Sequence, residues 1–433
     1  MEIIKTGYAT KEGGTVRSWK KRWFVFKESG ALSYYSDKSE RDQKGMIDLN
    51  KAETINKTED RRRIMVEITL PQKVFRMAFE NESLREEWYT VINDFITEIK
   101  SGGSGKRPKL EDFEMEKLIG RGTYGRVMLV TNKDTEMVYA MKILDKKAVV
   151  VSNEVEHIMA ERKVLGTINN PFIVKMHYSF QNETFLYFVM DFVNGGELFF
   201  HLQNERRFSI ARSKFYAAEI LLAIEHLHSK GIIYRDLKPE NVLLTSEGHI
   251  CLTDFGLSRT GMSGELKTST FCGTAAYLAP EILLGEKYDM SVDWWSFGIL
   301  TYEMMVGIPP FYDEDERQMY QNIVNESVRY PPNTPSSIKT FIDGLLMKDP
   351  TKRLRDPTVM KTHPFFQGID FDKLSRKEVT PPFIPTVHSV DDVVNIDPYF
   401  LEETPQAIHE INQTRKEGGQ EMNFDGFTYV SGK

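Results

Sequence analysis

Short apolar stretches alternate with polar turns over the first hundred residues, with the period of two that a half-buried β-strand shows. Six strands are predicted on this pattern, at residues 7–10, 19–26, 32–35, 44–49, 64–69 and 74–79. Over residues 83–100 the apolar period changes to that of an α-helix, with Trp88 and Ile92 on the apolar face. Residues 1–100 are therefore predicted to form a β-rich module closed by one C-terminal helix, with Ser83 as the N-cap of that helix.

The segment 101–109 is polar and has no apolar periodicity. Its Ser-Gly-Gly-Ser-Gly composition is typical of a short flexible linker and suggests an engineered joint. The segment separates the β-rich module from the rest of the chain, and no internal repeat is evident on either side of it.

A glycine-rich segment carries Gly120, Gly122 and Gly125 in the order G-x-G-x-x-G between two strand-like apolar stretches. Such a loop also occurs in dinucleotide-binding folds, but there a helix follows it directly. Here the next apolar segment has strand character and carries Lys142, and Glu161 follows within a helical pattern. This order favours a nucleotide-phosphate loop whose lysine pairs with a helix glutamate.

A polar run further along the chain holds Asp236, Lys238 and Asn241, and Asp254 follows at the start of Asp-Phe-Gly. Phosphoryl transfer needs such groups: a carboxylate to accept the hydroxyl proton, a cation on the transferred phosphate, and oxygen ligands for Mg²⁺. Any one of these residues alone would more often be a solvated loop residue. The ordered set at these spacings is a specific indication of phosphoryl-transfer chemistry.

On these motifs, residues 113–365 resemble a protein kinase of the AGC group. Three further motifs of that group are Phe271-Cys-Gly-Thr274, Ala279-Pro-Glu281 and Asp293-Trp-Trp295. The resemblance implies an α+β, multidomain protein with a two-lobed kinase fold that holds ATP between its lobes. The expected parts are a small lobe at 110–190, a large lobe at 191–366 and an AGC C-terminal tail at 367–433.

The resemblance also implies a role for each motif residue. Asp236 would orient the substrate hydroxyl and accept its proton, while Lys238 would steady the γ-phosphate. Lys142, fixed by Glu161, would hold the α- and β-phosphates. The implied Mg²⁺ ligands are Asn241 and Asp254. The implied residues around the nucleotide are Gly120, Gly122, Gly125, Val127, Ala140, Lys142, Met190, Asp191, Val193, Glu197 and Leu243.

Three glutamates, Glu197, Glu240 and Glu303, match positions that bind substrate arginines in basic-directed members of the group. The expected target is therefore Arg-x-Arg-x-x-Ser/Thr in protein substrates. Upstream activating kinases are expected to phosphorylate the chain at Thr270 and Thr428.

The activation segment contains Thr270, whose phosphate would pair with Arg235, His157 and Arg259 and so connect both lobes to one charge. Beside it, the group's Gly-Thr-Pro-Glu-Tyr is replaced by Gly-Thr-Ala-Ala-Tyr at 273–277. Loss of the proline would loosen the segment, and loss of the glutamate would remove one acidic contact to basic substrates.

The tail is polar and ends with Phe424 and Phe427 beside Thr428. This arrangement resembles the hydrophobic motif of AGC kinases, in which the two rings dock on the small lobe and hold the glutamate-bearing helix. The run Asp-Pro-Tyr-Phe at 397–400 matches the same tail. Thr404, which precedes a proline, has the turn-motif dipeptide but lies several residues early.

The first module resembles a pleckstrin homology domain, which implies a β-barrel-like fold closed by the C-terminal helix. Its first hairpin carries Lys11, Lys20 and Arg22. Strand alternation puts Lys20 and Arg22 on one face, so three cations converge beside the loop. The resemblance implies binding of 3-phosphorylated phosphoinositides, PIP3 and PI(3,4)P2, with a solvated basic rim as the alternative. An arginine of close relatives is replaced by Phe75, and the adjacent Arg76 is predicted to point to the opposite face.

Composition narrows the function further. The chain has 433 residues, 40% of them hydrophobic, a net charge of −7 and two cysteines, Cys251 and Cys272. The charge gives no reason to expect nucleic-acid binding, and no apolar run reaches the ~18 residues of a spanning helix. A monomer in a reducing cytoplasm, recruited to the plasma membrane through its first module, is expected.

Three functions remain open on the sequence. They are a phosphoinositide-regulated, ATP-dependent serine/threonine protein kinase, a nucleotide-binding pseudokinase, and a lipid-binding adaptor. The intact Lys142, Asp236, Asn241 and Asp254 favour the first. The altered segment 273–277 is the only support for the second.

Overall fold

The computed structural model describes residues 3–13, 19–27, 29–60, 63–71, 73–100, 108–122, 124–260, 273–417 and 422–430. The chain forms two compact units, Met1–Pro108 with Tyr429–Lys433, and Lys109–Thr428. The linker expected at 101–109 lies outside the described residues except for Pro108 and Lys109.

The first unit is an antiparallel sheet with one long helix. Its elements are β1 (Ile3–Glu12), β2 (Trp19–Lys27), β3 (Ala31–Tyr35), β4 (Gln43–Asp48), β5 (Thr54–Asp60), β6 (Arg63–Leu70), β7 (Lys73–Phe79) and α1 (Glu82–Lys100). The strands pair in the order β4-β3-β2-β1-β7-β6-β5. Strands β4 and β5 are thus the two edges, so strand pairing among the described residues does not close the barrel-like shape that the resemblance implies.

The apolar alternation predicts six of these strands and misses β5. That strand lies at an edge with most of its side chains exposed, so its sequence carries no apolar alternation. The predicted cap of α1 is wrong by two residues. The helix begins at Glu82, and the Oδ1 of Asn81, not Ser83, accepts a hydrogen bond from the backbone N–H of Leu84 at 2.9 Å.

Two aromatic contacts fix α1 across the sheet. The indole of Trp88 is fully buried and lies edge-on to Phe24 of β2, with 6.3 Å between ring centroids. Phe95 meets Phe26 in the same way at 5.1 Å. A side chain at Gly7 would come within 3.3 Å of the Trp88 Nε1, so glycine allows β1 to pass close to the indole.

The second unit begins with a small lobe and continues into a larger helical lobe. Its strands are β8 (Phe113–Gly122), β9 (Gly125–Asn132), β10 (Val138–Asp145), β11 (Met176–Gln181), β12 (Phe185–Asp191), β13 (Ile232–Ile233), β14 (Val242–Leu244), β15 (Ile250–Leu252) and β16 (Arg259–Thr260). Its first helices are α2 (Lys146–Val151), α3 (Val155–Thr167), α4 (Leu198–Glu205), α5 (Ile210–Ser229), α6 (Pro280–Leu283) and α7 (Ser291–Val306). The later helices are α8 (Glu316–Asn325), α9 (Ser336–Leu345), α10 (Pro357–Thr362), α11 (Phe371–Ser375), α12 (Pro398–Glu402) and α13 (Thr404–Glu417). The last described strand, β17 (Tyr429–Val430), is grouped with the first unit.

The small lobe is an antiparallel sheet in which β11, β12, β10, β9 and β8 are neighbours in that order. The large lobe is organised around α7. Every residue of α7 from Ser291 to Met304 is buried, as expected for a helix that is surrounded by others. The order of a mostly β lobe and a helical lobe agrees with the fold class that the resemblance implies.

The tail contains more regular structure than its polar sequence predicts. Helix α13 buries Ala407 and Ile411 in the hydrophobic core of the small lobe, and Ile408 packs against the same core. Because the helix buries so few apolar residues, its sequence lacks the apolar periodicity by which an amphipathic helix is predicted. Within the described residues, no helix is long and apolar enough to cross a membrane.

Candidate active and binding sites

The glycine-rich segment forms the hairpin of β8 and β9, with Gly122 opposite Gly125. A Cβ at Gly125 would lie 1.8 Å from the carbonyl oxygen of Ile143 on β10, so only glycine allows β9 to approach β10 there. Gly125 is therefore a packing residue of the hairpin. Gly120 and Gly122 line the cleft below it.

A cleft of about 570 Å³ lies between the two lobes. This volume falls within the roughly 300–1,000 Å³ of pockets that bind small molecules. The expected nucleotide residues that line it are Gly120, Gly122, Val127, Ala140, Lys142, Met190, Asp191, Val193, Glu197 and Leu243. Gly125 does not line it. Four tail residues that were not predicted to lie at the cleft line it as well: Asn395, Ile396, Asp397 and Phe400.

Lys142 of β10 connects the lobes electrostatically. Its Nζ lies 2.7 Å from the Glu161 Oε1 on α3 and 3.4 Å from the Asp254 Oδ1. Burial opposes the charge on Lys142, but the two carboxylates together outweigh it and raise the pKa of this amine. The charge of Lys142 in turn holds the pKa of Asp254 below its ordinary value. The cleft therefore keeps a cation and an ionised carboxylate side by side.

The expected catalytic loop brings Asp236, Lys238 and Asn241 together. The amide nitrogen of Asn241 donates to both the backbone oxygen and the Oδ2 of Asp236 at 2.8 Å, which turns its amide oxygen away from Asp236. The Nζ of Lys238 lies 3.2 Å from the Asp236 Oδ2 and donates to the Thr274 hydroxyl at 3.1 Å. Asp236 is thus held in one orientation by an amide on one side and a cation on the other.

Asp293 at the start of α7 fixes the backbone of this loop. Its two oxygens accept hydrogen bonds from the N–H groups of Tyr234 and Arg235, at 2.9 and 2.8 Å. His228 lies 2.7 Å from the same carboxylate. Asp293 is fully buried, and Arg235 adopts a positive φ of 67° that these bonds help to maintain. The sequence motif contained Asp293 without indicating that it positions Asp236.

Among the three expected substrate glutamates, the charge of Glu240 acts on the other two. Burial and the charge of Glu240 raise the pKa of Glu197. Burial raises the pKa of Glu303 to about 7, with Glu240 adding to the shift and a hydrogen bond from the Tyr277 hydroxyl opposing it. Within the described residues, the Oε2 of Glu240 is buried and has no hydrogen-bond partner. The charge of Lys238 opposes the rise in the pKa of Glu197 but does not cancel it.

The end of the tail docks on the small lobe. Phe424 and Phe427 are buried, and Phe427 lies edge-on to Phe188 at 5.1 Å. The Oγ of Ser179 donates to the carbonyl oxygen of Phe427 at 2.6 Å. Arg162 on α3 donates to the same oxygen and to the carbonyl oxygen of Thr428, at 3.0 and 2.9 Å. Because Glu161 precedes Arg162 in α3, the tail contacts the helix that carries the partner of Lys142.

Two more contacts hold the tail at its proximal side. Gln181 forms a pair of hydrogen bonds with the backbone N–H and carbonyl of Phe424, at 3.1 and 2.9 Å. The buried Lys146 donates to the carbonyl oxygens of Asn182 and Met422, at 2.5 and 2.6 Å. Burial lowers the pKa of Lys146 to about 8.

The expected activation-segment threonine, Thr270, lies outside the described residues. Two of its three expected partners are engaged elsewhere. The guanidinium of Arg235 donates to the carbonyl oxygen of Leu257 at 2.6 Å and to the Tyr288 hydroxyl at 3.2 Å. The Nδ1 of His157 lies 2.6 Å from Glu154 of the same helix segment. The third, Arg259, is in β16.

In the first unit, Lys11 pairs directly with Lys20, and Ala9 pairs with Arg22. Residues directly opposite each other in an antiparallel pair have their side chains on the same face of the sheet. The three expected lipid-binding cations therefore lie on the inner face of the hairpin, which is the face that carries the core residues Phe24 and Phe26 further along β2. The Nζ of Lys11 lies 5.2 Å from the centroids of both the Tyr34 and Phe75 rings.

Lys73 is a fourth cation on this face, and it was not among the predicted lipid-binding residues. It lies two residues before Phe75 on β7, and Phe75 and Met77 of that strand point into the core. Burial lowers the pKa of Lys11, and the charges of Lys73 and Arg22 lower it further, which agrees with their proximity. The strand period in the sequence could have indicated Lys73.

Arg76, one residue beyond Phe75, faces the other way as predicted. Its guanidinium pairs with Glu67 at 2.7 Å and with Glu12 at 3.0 Å. Arg76 is thus neutralised by two carboxylates and does not join the cations of the inner face.

Comparison with known proteins identifies both units. Residues 113–366 match the protein kinase domain, and residues 3–97 match the PH domain. A RAC family serine/threonine-protein kinase homolog of Dictyostelium discoideum is 47% identical over 437 residues, 99% of this chain and 98% of that protein. Protein kinase 2 of the same organism is 48% identical, over 74% of this chain and 67% of its own length. Human serine/threonine-protein kinase Sgk1 is 47% identical, over 76% of this chain and 78% of its own.

These matches define a serine/threonine protein kinase that carries an N-terminal PH domain. The chain belongs to the RAC family, the Akt-like kinases, within that class. The enzyme class predicted from the catalytic motifs is confirmed, and ATP binding follows from the kinase domain.

Removal of the Phe427 ring should uncouple the tail from α3. Phe→Ala changes in cores cost about 3–5 kcal/mol, so we expect the Phe427→Ala tail to leave its site and kcat/KM for peptide phosphorylation to fall at least ~10-fold. The exposed Asp425 provides a matched control, and Asp425→Ala should retain kcat/KM. An unchanged kcat/KM in folded Phe427→Ala would show that tail docking does not support the Lys142–Glu161 pair.

Proposed function

We propose that this kinase transfers the γ-phosphoryl group of ATP to serine and threonine hydroxyls in Arg-x-Arg-x-x-Ser/Thr sequences, under the control of 3-phosphorylated phosphoinositides. Lys142, Glu161 and Asp254 line one cleft together with Lys238 and Asn241, which hold Asp236 beside it, and this arrangement carries the proposal for the reaction. In this proposal residues 1–100 bind lipid, 110–190 and 191–366 are the kinase lobes, and 367–433 are the regulatory tail.

Asp236 is proposed to orient the substrate hydroxyl and accept its proton. Asn241 and Lys238 hold its carboxylate at 2.8 and 3.2 Å, so the group is preorganised before substrate binds. Lys238 is the cation closest to the accepting carboxylate and is proposed to stabilise charge on the γ-phosphate. Thr274, which accepts a hydrogen bond from Lys238, keeps that amine in place.

Lys142 is proposed to bind the α- and β-phosphates. Glu161 fixes its ammonium group from the small-lobe helix, and the raised pKa keeps it charged across the physiological range. Ala140 and Leu243 are proposed to sandwich the adenine, with Met190 limiting the depth of the pocket. The backbone from Asp191 to Val193 would bond the ring.

The donor set at the cleft fits Mg²⁺, which prefers a few protein oxygens together with substrate phosphates. Asp254 supplies an ionised carboxylate, and Asn241 supplies the amide oxygen that its bonds to Asp236 turn outward. When bound, the ion would neutralise charge on the β- and γ-phosphates. The protein residues would orient it and keep Asp236 aligned with the hydroxyl.

The acidic cluster supports a preference for basic substrates. Burial and the charge of Glu240 raise the pKa of Glu197 and of Glu303, and the Glu240 Oε2 is buried without a hydrogen-bond partner among the described residues. Arginine guanidinium groups of a substrate would satisfy these oxygens with charge-assisted hydrogen bonds. Proteins with paired arginines before the target hydroxyl are therefore the proposed substrates.

The cations of the PH domain support phosphoinositide binding. Lys11, Lys20, Arg22 and Lys73 share one face, on which Lys11 lies over the Tyr34 and Phe75 rings. Four cations on one face suit a multiply phosphorylated inositol ring. Binding would bring the kinase to an inositide-containing membrane, where upstream kinases are proposed to phosphorylate Thr270 and Thr428.

Removal of the Asp254 charge should abolish turnover without unfolding the protein. In Asp254→Asn the metal loses an anionic ligand and Lys142 loses a partner, so we expect kcat to fall at least ~10²-fold. Turnover with Mg·ATP and a basic peptide is the measurement. The exposed Asp372 gives the control Asp372→Asn, which should retain kcat. Normal turnover in folded Asp254→Asn would refute the metal assignment.

The preference for arginine should weaken as the pH falls from 8 to 6. The pKa of Glu303 is raised to about 7, so below this pH its carboxyl is mostly neutral while the substrate arginine stays charged. The ratio of kcat/KM for the Arg-x-Arg-x-x-Ser peptide to that for a peptide with one arginine replaced by alanine should therefore decrease.

In Glu303→Gln the same ratio should be lower at pH 8, by about tenfold for one charge-assisted pair, and should lose this pH dependence. The exposed Glu286→Gln should behave as the wild type. A ratio that is unchanged in Glu303→Gln would contradict the role of Glu303.

Lipid affinity should depend on the four inner-face cations. Loss of one charge-assisted bond costs roughly 1.5–3 kcal/mol, so Arg22→Ala and Lys73→Ala should each weaken binding of soluble inositol 1,3,4,5-tetrakisphosphate at least ~10-fold. Calorimetry with the full chain measures this. Lys51, which is exposed, provides the control Lys51→Ala. If Lys73→Ala binds as tightly as the control, Lys73 lies outside the head-group site.

A further inference from the structure

The glycine-rich hairpin contains a destabilising pair of like charges. Arg121 of β8 lies directly opposite Arg126 of β9, next to the pair formed by Gly122 and Gly125. Like charges directly opposite each other in an antiparallel pair weaken it. Burial lowers the pKa of Arg126, and the charge of Arg121 lowers it further. The repulsion therefore acts at the base of the loop that covers the nucleotide phosphates.

The tail supplies one carboxylate to each arginine. Glu403, between α12 and α13, pairs with Arg121, and Glu410 of α13 pairs with Arg126. The amide of Gln406 donates to the Glu410 Oε1 at 2.9 Å and so helps to orient that carboxylate. Both positive charges of the hairpin are thus balanced by a segment that lies almost three hundred residues away in sequence.

Two further contacts hold these carboxylates in place. The backbone N–H of Leu118 on β8 donates to the Thr404 hydroxyl at 3.0 Å, which fixes the first residue of α13 to the hairpin. Ala407 and Ile411 anchor the helix in the core of the small lobe. The carboxylates are therefore presented by an element with its own apolar attachment, and their charges can be removed without removing the helix.

We propose that Glu403 and Glu410 are positioning residues of the nucleotide site. By neutralising Arg121 and Arg126 they allow β8 and β9 to stay closely paired, and this keeps the glycine-rich loop in the shape that covers the ATP phosphates. The proposal rests on the proposed role of the cleft in ATP binding. It adds that the affinity for ATP depends on two carboxylates of the tail that do not themselves touch the nucleotide.

The test is the double variant Glu403→Gln and Glu410→Gln, in the full chain. Two partly exposed ion pairs and the released repulsion should together raise KM for ATP about fivefold, with KM for the peptide within about twofold. The equilibrium Kd for Mg·ATP should rise by the same factor as KM. Hydrogen exchange over residues 404–417 should be unchanged because Ala407 and Ile411 still anchor α13. Glu402→Gln, at an exposed neighbouring position, is the control.

A rescue separates charge balance from general weakening of the tail. Adding Arg121→Gln and Arg126→Gln to the double variant removes the repulsion, so KM for ATP should return most of the way to the wild-type value. A KM for ATP that is unchanged would overturn the proposal, as would a lower KM, which would mean that the freed arginines attract the nucleotide. A raised KM that the quadruple variant does not repair would also overturn it.

The result that would contradict the proposed function is different from those that would overturn the roles of Glu403 and Glu410. A wild-type chain that binds Mg·ATP but transfers no phosphate would refute the proposed reaction, while the Kd for Mg·ATP would still test Glu403 and Glu410.

Discussion

The ion pair between Lys142 and Glu161 is the interaction on which the arrangement of the second unit depends. It joins a strand of the small-lobe sheet to α3, and Asp254 lies 3.4 Å from the same amine. A nearly buried cation is stable there only while a carboxylate stays next to it. Any displacement of α3 therefore costs electrostatic energy in the cleft. The tail contacts α3 next to Glu161, and Asp254 contacts Lys142, so both meet at this pair.

Much of the fold and of the cleft could be predicted because the motif residues combine chemical groups that few other protein functions require at these spacings. Lys142, Asp236 and Asp254 form an ordered set whose spacing implied one cleft, and ten of the eleven expected nucleotide residues line it. The exception has a packing cause. Gly125 matches the motif because the backbone of β10 comes too close for a side chain, which a pattern of glycines does not distinguish from contact with phosphate.

The features that were missed depend on tertiary contacts with weak local signals. Strand β5 is a polar strand at the edge of the sheet, and its conformation is decided by its pairing with β6. Helix α13 is anchored by only a few apolar residues, and the arginines that pair with Glu403 and Glu410 lie on a distant hairpin. Asp293 stood in a motif, yet its role follows only from the two N–H groups that its carboxylate meets. In each case the partner in space is remote in the sequence.

The docked end of the tail tolerates substitution unevenly. The hydrogen bonds from Lys146, Ser179 and Arg162 all end on main-chain carbonyl oxygens of the tail, which every residue type supplies. In the described end of the tail, Phe424 and Phe427 are instead held through their side chains, because both rings are buried. The exposed positions Asn423 and Asp425 are therefore open to evolutionary drift, whereas selection must preserve the two aromatic residues and the spacing between them.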